Sequence, residues 1–327
     1  MLILCYHRVT EAQADPWGLC VTPERFEQQM AVLSRHAEPM PLADLVAAAS
    51  TDGPARGVAV TFDDGYVDNL WAAAPVLERW TIPATVFVAT GYVDTDRAFW
   101  WDVVQDVLLT RDTLPPSLSL DIAGITHTWT IAPSERFDRA QAESVRTWRA
   151  WDPPPTSRHA VYLDVWNRLR PLAEGTRHEA LTQLTAWADT CGAGRNDAHA
   201  AKSPSGAMTA AQLREIASSG LVTLGAHTVT HPLLSSLPIA EQAREIAGSR
   251  ATVEQVAGRP VTAFAYPYGD QNDDTRAAVR AAGLALACAG GPGVVTAASD
   301  PLCLPRVGVE DWNAGEFGRR LDGWMRS

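Results

Sequence analysis

Short hydrophobic runs alternate with amphipathic segments along most of the chain. The runs are rich in β-branched and aromatic residues and have the length of strands buried on both faces of a sheet. We predict strands over Leu2–Tyr6, Val58–Phe62, Ala84–Ala89, Leu221–Ala226, Val261–Ala265 and Leu284–Cys288. Between them, apolar residues recur at helical spacing, and Thr22 and Thr209 are suitable helix N-caps. Because strand and helix alternate in both outer parts of the chain, the pattern predicts a parallel α/β barrel or open sheet.

The pattern changes between about residue 94 and residue 205. Strand signals become sparse, the prolines Pro153–Pro155 interrupt the chain, and seven of the twelve tryptophans fall here. We predict a hairpin over Leu118–Ile131 and helices over Phe99–Leu109, Val161–Leu172 and Leu181–Ala188. The sequence therefore predicts an α/β domain of residues 1–94 and 206–327, and a Trp-rich, mostly helical insertion or cap of residues 95–205. We expect most of the tryptophans in this insertion to fill its core.

Composition and charge argue against several classes of partner. The net charge of −11, without a basic stripe, disfavours nucleic acid and anionic membrane surfaces. The longest apolar runs have the length of strands, so no integral membrane segment is predicted. Residues Met1–His7 lack the basic start, apolar stretch and cleavage site of a signal peptide. The five cysteines contain no Cys-x-x-Cys pair and favour reduced thiols. Both observations predict a cytoplasmic location.

Several predicted strands end in side chains that can perform chemistry. Asp63 and Asp64 directly follow one strand, and His7, His227 and Tyr268 lie at the ends of three others. Strand-helix barrels carry their active sites at the carboxyl ends of their strands. Two carboxylates at the end of a buried strand cost free energy unless a metal ion or a base holds them. For the pair alone, the alternative is that one aspartate caps the following helix.

The spacing of His227 and His231 lets both imidazoles reach one ion. Such a pair is often incidental, but a carboxylate from the same barrel completes a set of three ligands. That set leaves a coordination position for water, as in catalytic rather than structural zinc sites. One aspartate can then ligate the ion while the other accepts a proton from the bound water, whose pKa zinc lowers to about 7. The pattern leaves open which aspartate has which role.

Two further groups are needed for attack on an amide or ester carbonyl. The oxyanion needs hydrogen-bond donors, and a main-chain N–H near Tyr268 is a candidate. The departing amine needs an acid, for which His7 is a candidate because it ends a neighbouring strand. A single histidine in this position is otherwise expected to be a hydrogen-bonded core side chain.

Four motifs resemble those of the polysaccharide deacetylases of carbohydrate esterase family 4, the NodB-homology family. The resemblance lies in Thr61–Gly65 for the first motif, His227–His231 for the second, Phe264–Gly269 for the third and Leu304–Val307 for a late motif. It covers roughly residues 1–94 and 206–327.

The resemblance implies a distorted (β/α) barrel of the NodB-homology type, with Asp63 as the catalytic base. It implies that the metal ligands are Asp64, His227 and His231, and that the ion is Zn²⁺ or a similar divalent metal. On the substrate and oxyanion side we place Tyr66, Pro267, Tyr268 and Arg306.

The chain departs from the family pattern in two places. Ala265 stands where the third motif usually carries an arginine, the partner of the base; Arg306 and Arg8 are the candidates to replace it. The usual late Leu-x-His motif is also absent. Residues Tyr6–Val9, however, resemble the N-terminal motif of the poly-N-acetylglucosamine deacetylase branch, in which the acid histidine comes early. This similarity supports His7 as the general acid.

These observations predict a metal-dependent hydrolase that removes an N-acetyl or N-formyl group from an amino sugar or glycan precursor. The expected substrate is an N-acylated sugar, a sugar nucleotide or a lipid-linked sugar. One alternative is an O-acetyl carbohydrate esterase of the same fold. Another is a non-catalytic sugar-binding relative, which the alanine at position 265 mildly favours.

Overall fold

The structure is a computed structural model that describes residues 1–51, 56–132, 146–191 and 206–326. The chain divides into two compact units. The first comprises Met1–Glu11, Leu19–Asp96 and Ser205–Ser327, and the second comprises Ala12–Gly18 and Arg97–Pro204.

The first unit is built on an eight-stranded sheet in which the strands pair in parallel. The strands of the described residues are, in chain order, β1 Leu2–Tyr6, β2 Arg8–Val9, β3 Cys20–Val21, β4 Glu38–Pro39, β5 Gly57–Phe62, β6 Ala84–Val88, β7 Ser117–Ile122, β8 Ile125–Thr130, β9 Val222–Ala226, β10 Ala263–Ala265, β11 Leu286–Cys288 and β12 Val307–Gly308. The order across the sheet is β11-β10-β9-β6-β5-β1-β12, and β4 pairs with β5. Strands far apart in the chain are therefore neighbours, as the βαβ pattern predicts.

Helices connect these strands. In the described residues the α-helices are α1 Pro23–His36, α2 Leu42–Ala49, α3 Ala74–Trp80, α4 Trp100–Gln105, α5 Ser157–Leu169, α6 Glu174–Asp189, α7 Ala210–Ser218, α8 Ile239–Ala257, α9 Asp273–Ala281 and α10 Ala314–Trp324. A π-helical turn over Asn69–Ala73 precedes α3. The predicted caps are confirmed: Thr22 accepts a hydrogen bond from the Arg25 N–H, and Thr209 forms a capping box with Gln212. No helix in the described ranges is long and apolar enough to cross a bilayer.

Side chains alternate between two cores along the parallel strands. In β1, Leu2, Leu4 and Tyr6 belong to the core shared with the helices, whereas Ile3 belongs to a second core. The second core also contains Ala59, Phe87, Ala265, Cys288 and Leu304. Because successive strand residues point to opposite faces, the face that carries Ile3 and Ala59 continues through Cys5 and Thr61 to Asp63. The interior of the barrel therefore leads directly to the acidic strand end.

The segment between β11 and β12 joins the two edges of the sheet. Leu304 donates its N–H to Ala287 O and accepts from Ala289 N, both at 2.8 Å. Three residues later, Val307 pairs with Leu4 of β1 at the opposite edge. The predicted distorted (β/α) barrel is thus confirmed. Two predicted strands begin two residues later than expected: the Val261 N–H binds the Glu254 carboxylate (3.0 Å), so β10 starts at Ala263, and β11 starts at Leu286 rather than Leu284.

The second unit contains the predicted hairpin and helices. Strands β7 and β8 pair in antiparallel register, and Gly124 at the bend has φ 81°. Four tryptophans are buried as expected, namely Trp100, Trp101, Trp148 and Trp166. Trp151 is 62% exposed, so the prediction that the tryptophans fill the core does not hold for this residue. Residues 133–145 and 192–205 of the predicted insertion lie outside the described residues.

A short N-terminal segment also belongs to the second unit. Trp17 donates its indole N–H to the Tyr162 hydroxyl (2.8 Å), and Ala150 donates its N–H to Pro16 O (2.7 Å). The sequence did not reveal this segment as part of the insertion. We propose that the barrel comprises residues 1–94 and 206–327, except for Ala12–Gly18. We assign Ala12–Gly18 to the insertion, together with residues 95–205.

Gly225 in β9 should not tolerate a side chain. A Cβ there would lie 2.5 Å from Cδ1 and 2.6 Å from Cε1 of the fully buried Phe87. We expect Gly225→Ala to lower the free energy of unfolding by about 1–3 kcal/mol, as overpacking does. The control Gly308→Ala, in β12, adds a Cβ that meets no atom within 4 Å and should be neutral or slightly stabilising. Urea unfolding measures both, and equal stability of the two variants would contradict the prediction.

Candidate functional site

The two aspartates lie side by side at the end of β5 but face different partners. Both are buried, with 4% of Asp63 and 2% of Asp64 exposed. Asp64 has φ 71° and Gly65 has φ 80°, so the chain turns sharply after the strand. The next helical turn begins at Asn69, and neither aspartate caps it. The helix-cap alternative is therefore wrong.

Asp64, His227 and His231 converge on one small volume. The Nε2 atoms of His227 and His231 lie 3.6 Å and 3.4 Å from Asp64 Oδ1. One ligand atom from each residue can be chosen so that all three lie within 4.8 Å of one another. The two distances are long for N–H···O hydrogen bonds. They agree with ligand atoms about 3.4 Å apart around a tetrahedral ion whose bonds are about 2.1 Å long. These three residues therefore fit a divalent metal ion.

The second nitrogen of each imidazole is engaged in a way that favours metal binding. His227 Nδ1 lies 2.7 Å from Ala265 O and donates its proton there, so Nε2 presents a lone pair towards Asp64. His231 Nδ1 lies 3.1 Å from the Tyr268 hydroxyl; that hydroxyl is directed towards His231 O (3.5 Å), so its oxygen can accept the Nδ1 proton. Burial lowers the pKa of His227, so this ring is neutral at pH 7, the form that binds a metal.

Asp63 forms a two-pronged ion pair with Arg306. Nη1 and Nη2 donate to Oδ1 and Oδ2 of Asp63, both at 2.6 Å, and Nη1 also lies 3.3 Å from Thr61 Oγ1. Burial alone would raise the pKa of Asp63, but the charge of Arg306, together with His227 and the hydrogen bonds, holds it well below its usual range. Asp63 is therefore ionised at neutral pH.

Of the two candidate arginines, only Arg306 contacts Asp63 in the described part of the chain. Arg8 donates its Nε–H to Asp68 Oδ2 (3.0 Å), and its guanidinium lies 4.4 Å from the centre of the Tyr66 ring. The Tyr66 side chain is fully buried, so a substrate cannot contact it directly in this structure. Arg306, which the sequence placed on the substrate side, instead lies behind the carboxylate of Asp63.

His7 lies on the open side of Asp63. Its Nε2 is 4.0 Å from Asp63 Oδ2, and 24% of its side chain is exposed. Burial is the main cause that lowers the pKa of His7, to about 4; Asp63 opposes this effect, and Arg306 and His227 add to it. The imidazole is therefore neutral at pH 7 and can act as an acid only after it has received a proton.

The loop after β10 lies beside the histidine pair. Tyr268 has φ 59°, and its hydroxyl contacts His231 as described above. Pro267 precedes it and is buried. The structure thus brings Tyr268 next to His231.

The sequence did not reveal several residues that hold the site together. Asp68 Oδ1 accepts the Val9 N–H (3.0 Å), and Asn69 Nδ2 donates to His7 O (2.9 Å), so both residues fix the segment that carries His7. Their position just after the aspartate pair was the available signal. Glu245 binds the loop between the histidines, and no local pattern marks it.

A second group of possible ligands consists of Cys5, His7 and Asp63. Burial raises the pKa of the Cys5 thiol well above its usual value, so the thiol stays protonated. Arg306 already occupies both carboxylate oxygens of Asp63. A cation there would face a buried guanidinium, and the group around Asp64 is the better metal site.

Comparison with known proteins agrees with this arrangement. The family model described as polysaccharide deacetylase matches residues 50–115 and 178–287, just over half of the chain. YxkH of Bacillus subtilis (strain 168), which carries the name of a polysaccharide deacetylase, is 27% identical over 116 residues. This match spans 35% of the chain and 41% of the relative's length.

Two solved structures share the fold over nearly the whole chain. The deacetylase PplD of Streptococcus pyogenes, in complex with acetate, is 17% identical and has a TM-score of 0.58; the match covers 98% of this chain and 97% of PplD. IcaB of Ammonifex degensii is 18% identical with a TM-score of 0.58, over 100% of this chain and 97% of IcaB. At these identities the two structures establish the fold.

The lowered pKa of His7 predicts a pH dependence of stability in the metal-free protein. Between pH 6.5 and about pH 4 the unfolded chain binds a proton at this histidine and the folded chain does not. Stability should therefore fall as the pH is lowered through this window. We expect His7→Gln to reduce the slope; His227, whose pKa is also lowered, keeps part of it. The control is His36→Gln on the exposed end of α1, and thermal unfolding from pH 4 to 7 measures all three proteins. A slope unchanged in His7→Gln would contradict the prediction.

Proposed function

The chain belongs to the polysaccharide deacetylase family, and on that premise we propose that it is a metal-dependent hydrolase that removes an N-acetyl or N-formyl group from an amino sugar. The observation that carries the proposal is the arrangement of two adjacent carboxylates with different partners. Asp64 faces two imidazoles, while Asp63 is paired with Arg306 and lies beside the same ligand set, 3.9 Å from His227 Nε2.

Asp64, His227 and His231 would hold the ion, for which Zn²⁺ is our choice. Two neutral imidazoles and one carboxylate are a typical ligand set of catalytic zinc sites and leave a coordination position open. When bound, such an ion would act as a Lewis acid that lowers the pKa of water and polarises the acyl carbonyl.

Asp63 would be the general base. A base must be ionised and correctly oriented, and Arg306 supports both conditions through its charge and its planar fork. Arg306 takes the place of the arginine that is missing at position 265. The main argument for a non-catalytic sugar-binding relative therefore loses its weight.

His7 would deliver the proton to the leaving group. Asp63 accepts a proton from the attacking water, and His7, 4.0 Å from Asp63, takes it over and passes it to the nitrogen of the substrate. The water oxygen bonds to the acyl carbon, and the bond from that carbon to nitrogen breaks. The products are acetate, or formate, and the free amino sugar.

The remaining predicted residues have supporting roles in this proposal. We assign the main-chain N–H of Tyr268 and the neighbouring Pro267 to the acyl side of the substrate, since their loop lies next to His231. Tyr66 would act indirectly, by supporting Arg8. We keep the N-acylated sugar, sugar nucleotide or lipid-linked sugar as substrate. The five cysteines are in the reduced state, which suits a cytoplasmic location.

The first test is acetate release. The metal-loaded protein should release acetate from compounds that contain N-acetylglucosamine, and removal of the metal with a chelator should abolish this activity. Asp63→Asn should lose at least about 100-fold in kcat, the usual contribution of a general base. It should still bind zinc, because all three proposed ligands remain. Undiminished turnover by Asp63→Asn would refute the assignment of the base.

The second test separates the amidase from an O-acetyl esterase. The low pKa of His7 favours the esterase alternative, since an alkoxide or phenolate leaving group needs less help from an acid. For an amidase, His7→Ala should lose about 100-fold or more on N-acetyl substrates and less than about 10-fold on aryl acetates. Comparable losses on both substrates, or none on amides, would contradict the role of His7.

A further inference from the structure

The loop between the two histidines has an unusual backbone. Thr228 has φ 65° and His231 has φ 54°, a region that non-glycine residues rarely adopt and that is especially unfavourable for a β-branched side chain. Such a conformation persists only where surrounding groups hold it. The loop determines where both imidazoles point, so whatever holds the loop also determines the spacing of the proposed ligands.

Glu245, on α8, binds this loop with both carboxylate oxygens. Oε2 accepts the main-chain N–H groups of Val229 and Thr230, and Oε1 accepts the Thr230 hydroxyl, all at 2.8 Å. An ionised carboxylate only accepts hydrogen bonds, so it matches three donors without competition. Bonds to an ionised acceptor are also stronger than neutral ones.

The opposite side of the loop rests on the chain after β6. Thr90 donates its N–H to Thr228 O (3.1 Å), and Gly91 donates to Val229 O (2.7 Å). A Cβ on Gly91 would lie 2.7 Å from Val229 O, so the two chains are in close contact. The loop is thus held between the main chain of Thr90 and Gly91 on one side and the Glu245 side chain on the other, and only the second of these contacts depends on a side chain.

We propose that Glu245 is a positioning residue that sets the spacing of His227 and His231 and thereby the affinity of the site for its metal ion. Glu245 contacts the peptide groups between the ligands rather than the ligand nitrogens. The inference rests on the proposed metal site and deepens it. Without the carboxylate, the N–H groups of Val229 and Thr230 lose their acceptor and the backbone can relax from its unfavourable angles.

The test measures zinc affinity rather than turnover. Metal-stripped wild type, Glu245→Gln and Glu245→Ala are titrated with zinc in competition with a chromophoric chelator. We expect the Kd to rise about 10-fold in Glu245→Gln, in which one oxygen becomes an NH₂ group facing a donor. We expect up to about 100-fold in Glu245→Ala, the range seen when the partners of metal ligands are removed. Saturating zinc should restore kcat, which damage to the fold would not allow.

The matched control is Glu241→Gln, one turn earlier on α8. Its carboxylate lies 3.6 Å from Arg244 on the surface, and its loss should leave the Kd unchanged. The melting temperature of each metal-free variant shows whether it folds. If Glu245→Ala does not fold, the zinc affinity of Glu245→Gln tests the positioning role.

The possible outcomes are distinguishable. A wild-type Kd in folded Glu245→Gln overturns the positioning role, and so does an equal rise in Glu241→Gln. Wild-type protein that binds no zinc overturns both this inference and the metal-dependent function. Wild-type protein that binds zinc, with weaker binding in the Glu245 variants but no release of acetate or formate from any sugar, supports the positioning role and refutes only the proposed reaction.

Discussion

The ion pair between Asp63 and Arg306 is the interaction on which the site depends. Both side chains are almost fully buried, and two nitrogens meet two oxygens at 2.6 Å. Removing both charges from water is costly, and the fork geometry offsets that cost only while both partners are present. Loss of one partner from such a pair typically costs about 3–5 kcal/mol. The pair also joins the end of β5 to the segment that connects the two edges of the sheet, so fold and chemistry share one contact.

Arg306 also explains how two neighbouring aspartates come to differ. Asp63 is held ionised by a guanidinium, whereas Asp64 turns, through its positive φ, towards the imidazoles of His227 and His231. Opposite environments for adjacent carboxylates are a common way of separating a proton acceptor from a ligand. The guanidinium of Arg306 lies 5.7 Å from the centre of the ring of Phe87, which belongs to the inward-facing core together with Ala265. Arg306 reaches Asp63 from the segment between β11 and β12, instead of from the strand that ends at Ala265.

A network on the other side of the site fixes His7. Arg8, next to it, is bound to Asp68, while Asn69 binds the His7 carbonyl. Both acceptor and donor come from the turn that follows the aspartate pair, so the first strand and the acidic strand end are tied together twice. Strands β1 and β5 pair at five positions, the last of which places Tyr6 beside Phe62. The next residues of the two strands, His7 and Asp63, are therefore neighbours. His7 is thus positioned by strand register and by side chains that the sequence pattern did not single out.

The sequence alone determined the strands of three or more residues, the alternation that predicts the barrel, the helix caps, and the aspartates and histidines at strand ends. These features are local: they depend on spacing within a few residues, which fixes whether a side chain faces a core or the end of a strand. Tertiary structure decided the rest. Arg306 rather than Arg8 binds Asp63, although 243 positions separate the two residues in the chain. Glu245 binds the main-chain N–H groups of residues 15 and 16 positions before it. Residues Ala12–Gly18 belong to the second unit. Such pairings depend on which strands and helices become neighbours when the sheet closes, and no short-range pattern carries that information.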